Sequence, residues 1–140
     1  MTLLVDAGPL VASTDVRDSR RRSVQRLLVE SQGQLILPAP VTAEVDYLLG
    51  RRIGERARRG FLADLASQRF DVECLTDIDH ARVAMLDREY EDLRLGLADL
   101  SIVVVAGRLR CTRILTFDER HFRAIRPLFG DAFELLPADG

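Results

Sequence analysis

Two acidic residues directly follow short apolar segments, where a buried strand would end. Asp6 comes after the run Leu3–Val5, and within three residues it is followed by Gly8 and Pro9, which are turn-forming residues. Asp118 follows the segment "RILTF" in the same way. An isolated Asp at such a place is often a turn former or a helix cap. Each of these acids therefore has a structural explanation as well as a chemical one.

Two further acids lie on the apolar faces of predicted helices. Glu44 comes three residues after Val41 and four before Leu48, so helical periodicity places it within the stripe that faces the core. Asp99 precedes Ile102 by three residues in a strongly apolar segment. Each has a structural alternative. Glu44 could lie at the edge of the stripe and reach water, and Asp99 could be placed there because a negative charge is favoured at the positive end of a helix.

If all four carboxylates share one cleft, their chemistry is specific. Several ionised acids in an apolar cleft repel one another and lose hydration, so they require a counter-charge. Mg²⁺ and Mn²⁺ supply it, because both prefer oxygen ligands and retain bound water. Such a cluster is suited to phosphodiester hydrolysis, in which the metal activates a water and stabilises the leaving oxygen.

The segments that must position these acids alternate between strand and helix patterns. The predicted strands are residues 3–5, 34–38, 70–75, 113–117 and 133–137. The predicted helices start near Pro9, cover about 16–30, 41–50, 55–67 and 77–93, and resume after Gly96, with Thr76 as an N-cap. This alternation predicts a parallel sheet covered by helices, with ligands at the carboxyl ends of its strands.

The order of "LLVDAGPL", "VTAEVDYLL", "YEDLRLGLADLSIVVVAGRL" and "RILTFDERHF" resembles the PIN-domain nucleases, and most of all the toxins of VapBC toxin–antitoxin pairs. The resemblance covers essentially the whole chain. It implies one domain, residues 1–140, with a three-layer α/β/α fold around a mainly parallel sheet of four to five strands. It also implies an endoribonuclease that depends on Mg²⁺, with Mn²⁺ as a substitute. Asp6, Glu44 and Asp99 match the three core acids of the family, and Asp118 matches its more variable fourth; these four are the expected metal ligands and catalytic residues.

The sequence departs from the family pattern beside the first acid. Ala7 and Gly8 stand where many members carry Thr and Ser, so these two positions supply no side-chain hydroxyl at that corner. We expect Thr116, Ser101 and Asp92 to lie just behind the metal ligands, although Asp92 has the alternative of being a loop or helix-end residue.

The resemblance also implies partners. We expect an RNA substrate, with tRNA or rRNA favoured, and a cognate VapB-type antitoxin that blocks the cleft. We expect a homodimer, or a heterotetramer or larger assembly with the antitoxin. The apolar groove for such a partner is expected among the first helices and the helix pair within residues 41–67.

Composition bounds the class of protein. All 20 basic residues are Arg and the net charge is −2, so strong non-specific DNA binding is disfavoured. The Arg residues cluster at 17–26, 50–59 and 108–113, as either solvated helix faces or a polyanion-binding surface. No membrane span or signal peptide is apparent, and we expect a cytoplasmic protein from a GC-rich bacterium or archaeon.

The two cysteines, Cys74 and Cys111, are not spaced as metal ligands are, and we expect both to be reduced.

Other enzyme classes are excluded because the sequence lacks residues that they require. A receiver domain needs a lysine, a haloacid-dehalogenase-type phosphatase needs an Asp at position 8, and the phosphate-binding glycine motifs are absent. His80 and His121 lack zinc-site spacing, and His121 is expected at the surface, although it lies three residues after Asp118. The remaining alternative is a catalytically silent PIN-like module that binds protein or RNA.

Overall fold

The central sheet consists of five parallel strands. The computed structural model describes residues 1–140. The strands are β1 (Leu3–Val5), β2 (Leu35–Pro38), β3 (Asp71–Glu73), β4 (Arg113–Leu115) and β5 (Glu134–Leu136). Their order in the sheet is β3-β2-β1-β4-β5. In the centre, Leu4 of β1 pairs with Ile36 of β2 on one side and with Ile114 of β4 on the other. The predicted parallel sheet is confirmed.

Seven α-helices connect and cover the strands. They are α1 (Ala7–Thr14), α2 (Arg21–Glu30), α3 (Ala39–Arg52), α4 (Glu55–Ala66), α5 (Asp77–Glu89), α6 (Leu97–Leu109) and α7 (Glu119–Ala124), with a 3₁₀ turn at Glu91–Leu93. Because crossovers between parallel strands are right-handed, the reversal of strand order at β1 places helices on both faces. The expected three-layer α/β/α architecture is confirmed.

The core lies between β1, its neighbouring strands and α6. All three residues of β1 are fully buried. In α6, every residue from 100 to 106 is buried, which is typical of a helix that is apolar around its whole circumference. None of the helices is both long enough and apolar enough to cross a membrane. Cys74 is exposed, Cys111 is buried, and they form no disulfide.

The helix predicted from about residue 16 begins only at Arg21. Before it, the side chain of Asp15 accepts a hydrogen bond from the backbone N–H of Arg17 at 3.0 Å. Asp18 does the same for Arg20 at 2.9 Å. These local side-chain bonds stabilise turns in competition with the helix, so the predicted start was wrong by about one turn.

The predicted end of α3 at Gly50 was also wrong. The helix continues to Arg52, and the chain reverses at Gly54, whose φ of 141° suits glycine. The six-residue helix α7 was not predicted. It is too short to show a periodic apolar pattern, although Asp118 caps its start.

An Arg-centred network joins α5, α6 and the carboxyl end of the edge strand β3. Arg108, in the last turn of α6, contacts Asp79 of α5 at 3.2 Å and Glu73 of β3 at 3.1 Å. Its guanidinium also donates to the carbonyl oxygen of Cys74 at 3.2 Å. Asp79 is 1% exposed and completes a capping box with Thr76 at the start of α5. Burial opposes the ionisation of Asp79, but the Thr76 N–H and Arg108 outweigh it and hold its pKa below the usual value.

Candidate active site

Asp6 is the helix cap that its sequence position suggested, and its second carboxylate oxygen is held from β4. It is buried at the carboxyl end of β1, and its Oδ1 accepts the backbone N–H of Ala7 at 2.8 Å as the N-cap of α1. Its Oδ2 accepts a hydrogen bond from the hydroxyl of Thr116 at 2.7 Å. Each carboxylate oxygen can accept more than one bond, so capping leaves Asp6 able to bind a cation.

Thr116 links the ends of the two central strands. Its hydroxyl donates to Asp6 and accepts the backbone N–H of Asp118 at 3.0 Å. It is 1% exposed, so this geometry is fixed inside the protein. One buried hydroxyl therefore holds Asp6 and the backbone of Asp118 at the same rim of the sheet.

Asp118 is half-buried at the start of α7. Its Oδ1 accepts the backbone N–H of His121 at 3.1 Å, and its Oδ2 lies 2.7 Å from Nδ1 of the His121 ring. Asp99, His121 and Asp118 each offer one ligand atom, and these three atoms all lie within 4.8 Å of one another. His121 is thus beside the acids, which corrects the expectation of an ordinary surface residue. The only sequence signal for it was its spacing of three from Asp118.

Asp99 reaches the cluster from the first turn of α6, and it is half-buried. Burial, followed by the charges of Asp6, Asp118 and Glu44, raises the pKa of Asp99 to about 6. The helix N-terminus alone would favour the ionised form. The Asp99 carboxylate accordingly lies beside Asp118 and His121, within 4.8 Å of their ligand atoms.

Glu44 projects from α3 and is exposed, so the expectation that it lies within the buried stripe was wrong. Val41, Val45 and Leu49 of the same helix are buried as predicted. Glu44 still belongs to the cluster: partial loss of hydration and then the charge of Asp6 raise its pKa. It occupies the water-facing side of the cleft.

Burial also raises the pKa of Asp6, although the bonds from Thr116 and Ala7 oppose the shift; the charge of Asp118 adds to it. The structure therefore brings the four predicted acids into one electrostatic field with no Arg pairing any of them, and the His121 ring lies against Asp118. Carboxylate oxygens in this number are ligands suited to a hard divalent ion. The donor set fits Mg²⁺ or Mn²⁺.

Ser101 and Asp92 do not contact the four acids through hydrogen bonds. Ser101 is fully buried, and its hydroxyl donates to the carbonyl oxygen of Ala98 at 2.6 Å within α6. Asp92 is exposed in the 3₁₀ turn. Asp46 lies two residues after Glu44 on α3, and its carboxylate accepts a hydrogen bond from the guanidinium of Arg58 at 3.0 Å.

The three Arg clusters differ in how many of their side chains form ion pairs. In residues 17–26, only Arg20 pairs with an acid, Asp18, and its guanidinium stacks over Phe117 at 3.7 Å from the ring centre. In residues 50–59, only Arg58 forms ion pairs. In residues 108–113, both Arg108 and Arg113 are held by acids. The first two clusters thus keep most of their guanidinium groups available, whereas the third is largely structural.

Comparison with known proteins identifies the family of this chain. The PIN-domain family profile matches residues 3–127. Ribonuclease VapC26 of Mycobacterium tuberculosis is 33% identical over 135 residues, which cover 96% of this chain and 100% of that protein. The chain belongs to the PIN-domain family. The resemblance to VapC toxins inferred from the sequence is therefore confirmed.

Solved structures share the PIN-domain fold described above. Mycobacterium tuberculosis VapC20, described as a toxin that cleaves the sarcin–ricin loop, superposes with a TM-score of 0.77 at 21% identity, covering 84% of this chain and 91% of that one. VapBC2 of Rickettsia felis, solved with a DNA fragment from its promoter, gives a TM-score of 0.69 at 19% identity, covering 96% of this chain and 98% of that one. In this PIN domain, the carboxylate cluster comprises Asp6, Glu44, Asp99 and Asp118.

Proposed function

We propose that this PIN domain is the toxin of a toxin–antitoxin pair, an endoribonuclease that requires a divalent metal and acts in the cytoplasm. The observation that carries the proposal is geometric: Thr116 holds Asp6 and Asp118 at the ends of β1 and β4, Asp99 lies beside Asp118, and no Arg pairs with any of these acids. The activity of VapC26 as a ribonuclease, given in its name, supports RNA as the substrate class.

The four acids would hold one or two Mg²⁺ or Mn²⁺ ions, directly or through water. When bound, the ion supplies an activated water and charge stabilisation at the scissile phosphate. Asp99 must release its proton, since its pKa of about 6 leaves part of it protonated in mildly acidic solution. Thr116 orients Asp6 by its 2.7 Å hydrogen bond. Ser101 is proposed to act behind these ligands through the α6 backbone that it bonds, whereas the exposed Asp92 makes no contact through which it could do so.

The unpaired Arg residues of clusters 17–26 and 50–59 are proposed to hold RNA phosphates. Phosphate contacts release counterions, so the affinity for RNA should fall as salt concentration rises. An RNA affinity that is independent of salt would contradict this role. The target, tRNA or rRNA, can be identified by sequencing RNA ends after induced expression.

A cleavage assay tests the main proposal. Purified protein should degrade RNA with Mg²⁺ or Mn²⁺ and stop with a chelator. Asp6→Asn and Asp99→Asn should each lose at least about 100-fold in rate, because a ligand is removed from the metal. Asp87→Asn, an exposed acid on α5, is the matched control and should retain activity. Equal RNA degradation by wild type and Asp99→Asn would refute the mechanism, and binding without cleavage by wild type would favour the silent-module alternative.

The partner is proposed to be a VapB-type antitoxin, supported by the likeness to VapBC2. A groove of about 520 Å³ lies between α1, α3 and α4, with Leu10, Leu49 and Phe61 among its apolar walls. This is the region where the sequence predicted the partner's groove. We propose a homodimer that becomes a heterotetramer or larger assembly with antitoxin.

Gly60 lines that groove and has open space around its Cα. Gly60→Arg should therefore leave the fold intact and weaken co-purification with the product of the neighbouring antitoxin gene. Ala81→Arg, at an exposed position on α5, is the control and should leave the complex unchanged. Full complex formation by Gly60→Arg would place the antitoxin elsewhere.

A further inference from the structure

His121 is the one nitrogen donor among the oxygen donors of the cleft. Its Nδ1 lies 2.7 Å from Oδ2 of Asp118, and the pair shares a cluster with Asp99 in which the three ligand atoms lie within 4.8 Å. Adjacent ligands of one octahedral ion are about 3 Å apart, given metal–oxygen distances of about 2.1 Å. The observed spacing therefore suits ligands of a common ion.

The fold of α7 does not require this side-chain contact. The N-cap bond of Asp118 is made by its other oxygen, Oδ1, to the backbone N–H of His121. That bond fixes the position of His121 relative to Asp118 whatever its side chain. The ring is half-buried, so it has access to a ligand from the cleft.

We propose that His121 is a direct nitrogen ligand of the ion held by Asp99 and Asp118, and that it biases this site towards Mn²⁺ over Mg²⁺. Mg²⁺ is bound in proteins almost entirely by oxygen, whereas first-row transition ions also accept imidazole. The inference rests on the proposed function, in that it assumes a divalent ion in the cleft. It adds a fifth protein ligand and a metal preference that four acids alone would not give.

Pulsed electron paramagnetic resonance of Mn²⁺ bound to the full chain tests this directly, since it detects the coupling of a ligating imidazole nitrogen. The chain has only two histidines, and His80 is exposed on α5. Wild type and His80→Ala should show the nitrogen coupling. His121→Ala and His121→Gln should lose it, although the amide of Gln can still donate to Asp118.

Calorimetric titrations with Mn²⁺ and Mg²⁺ provide the second readout. His121→Gln should raise the Kd for Mn²⁺ by about tenfold or more, and should change the Kd for Mg²⁺ by less than about threefold. If His121→Gln raised the Kd for Mn²⁺ and the Kd for Mg²⁺ by the same factor, His121 would only position Asp118, and the inference would be wrong. Bound Mn²⁺ without nitrogen coupling in wild type would overturn the inference and leave the acids as ligands. No Mn²⁺ or Mg²⁺ binding in wild type would overturn the proposed function as well.

Discussion

The hydroxyl of Thr116 donates to Oδ2 of Asp6 at 2.7 Å, across 110 positions of sequence. The hydroxyl oxygen of Thr116 in turn accepts a hydrogen bond from the backbone N–H of Asp118. Thr116→Val keeps the shape of the side chain but removes both bonds. We expect a fall in the free energy of unfolding of about 1–3 kcal/mol, because a buried N–H loses its acceptor, and a fall in cleavage rate of about 10–100-fold, because Asp6 loses its orienting partner.

Thr116→Ser is the matched control, since it retains the hydroxyl. Urea denaturation and RNA cleavage on the same preparations separate the two effects. If Thr116→Val cleaved RNA as fast as Thr116→Ser, the hydroxyl would have no part in positioning Asp6.

Neutralising Asp99 should stabilise the metal-free protein. Its ionised form is disfavoured by burial and by three neighbouring acids, and Asn removes that penalty. We expect Asp99→Asn to raise the free energy of unfolding by about 1–2 kcal/mol at pH 7.5 with a chelator, after discounting for partial exposure. Urea denaturation measures the change. Asp87→Asn should show none, and destabilisation by Asp99→Asn would contradict the electrostatic picture.

The same shift predicts a pH dependence. The pKa of Asp99 is about 6 in the folded state against 3.8 ordinarily, so the native protein binds more protons than the unfolded chain between these values. Stability of the metal-free protein attributable to Asp99 therefore falls as pH rises through this window. The advantage of Asp99→Asn over wild type should be small near pH 4 and complete by pH 7. If the stability difference between Asp99→Asn and wild type stayed constant from pH 4 to 7, it would not originate in the titration of Asp99.

Removing Arg108 should destabilise the fold through Asp79. Arg108→Ala leaves a carboxylate that is 1% exposed without its cation, and one of its oxygens, Oδ1, already has no partner. We expect a loss of about 2–3 kcal/mol in the free energy of unfolding. Arg82→Ala, on the exposed face of α5 with no ion pair, should cost little. Equal denaturation midpoints for the two variants would show that the network contributes nothing.

The carboxyl end of β1 was predictable because its signal is local, whereas β3 and β4 end at Glu73 and Leu115, two residues before their predicted ends. An apolar run followed by a turn signal located β1 and Asp6 without any information about the partner strand. The position of Asp118 followed from the same pattern, and parallel strands brought the two acids to one rim. The pairing of Thr116 with Asp6 was not predictable in detail, since it depends on the register between β1 and β4.

The errors have physical causes. Glu44 lies about 60° around the helix from Val41, and periodicity cannot tell whether that angle falls inside the stripe or at its edge. The contribution of His121 depends on α7, which is too short to be recognised by periodicity. The late start of α2 reflects bonds made by Asp15 and Asp18, whose effect competes with helix propensity.

The position of β1 between β2 and β4 has a consequence for biosynthesis. Leu4 can pair with Ile36 early in translation, but its partner Ile114 emerges only after more than four-fifths of the chain. Thr116 and Asp118 arrive with that late strand. A nascent or truncated chain therefore has Asp6, Glu44 and Asp99 but lacks the residues that complete the cleft. The order of synthesis itself delays the appearance of a finished site until residues 113–118 have been made.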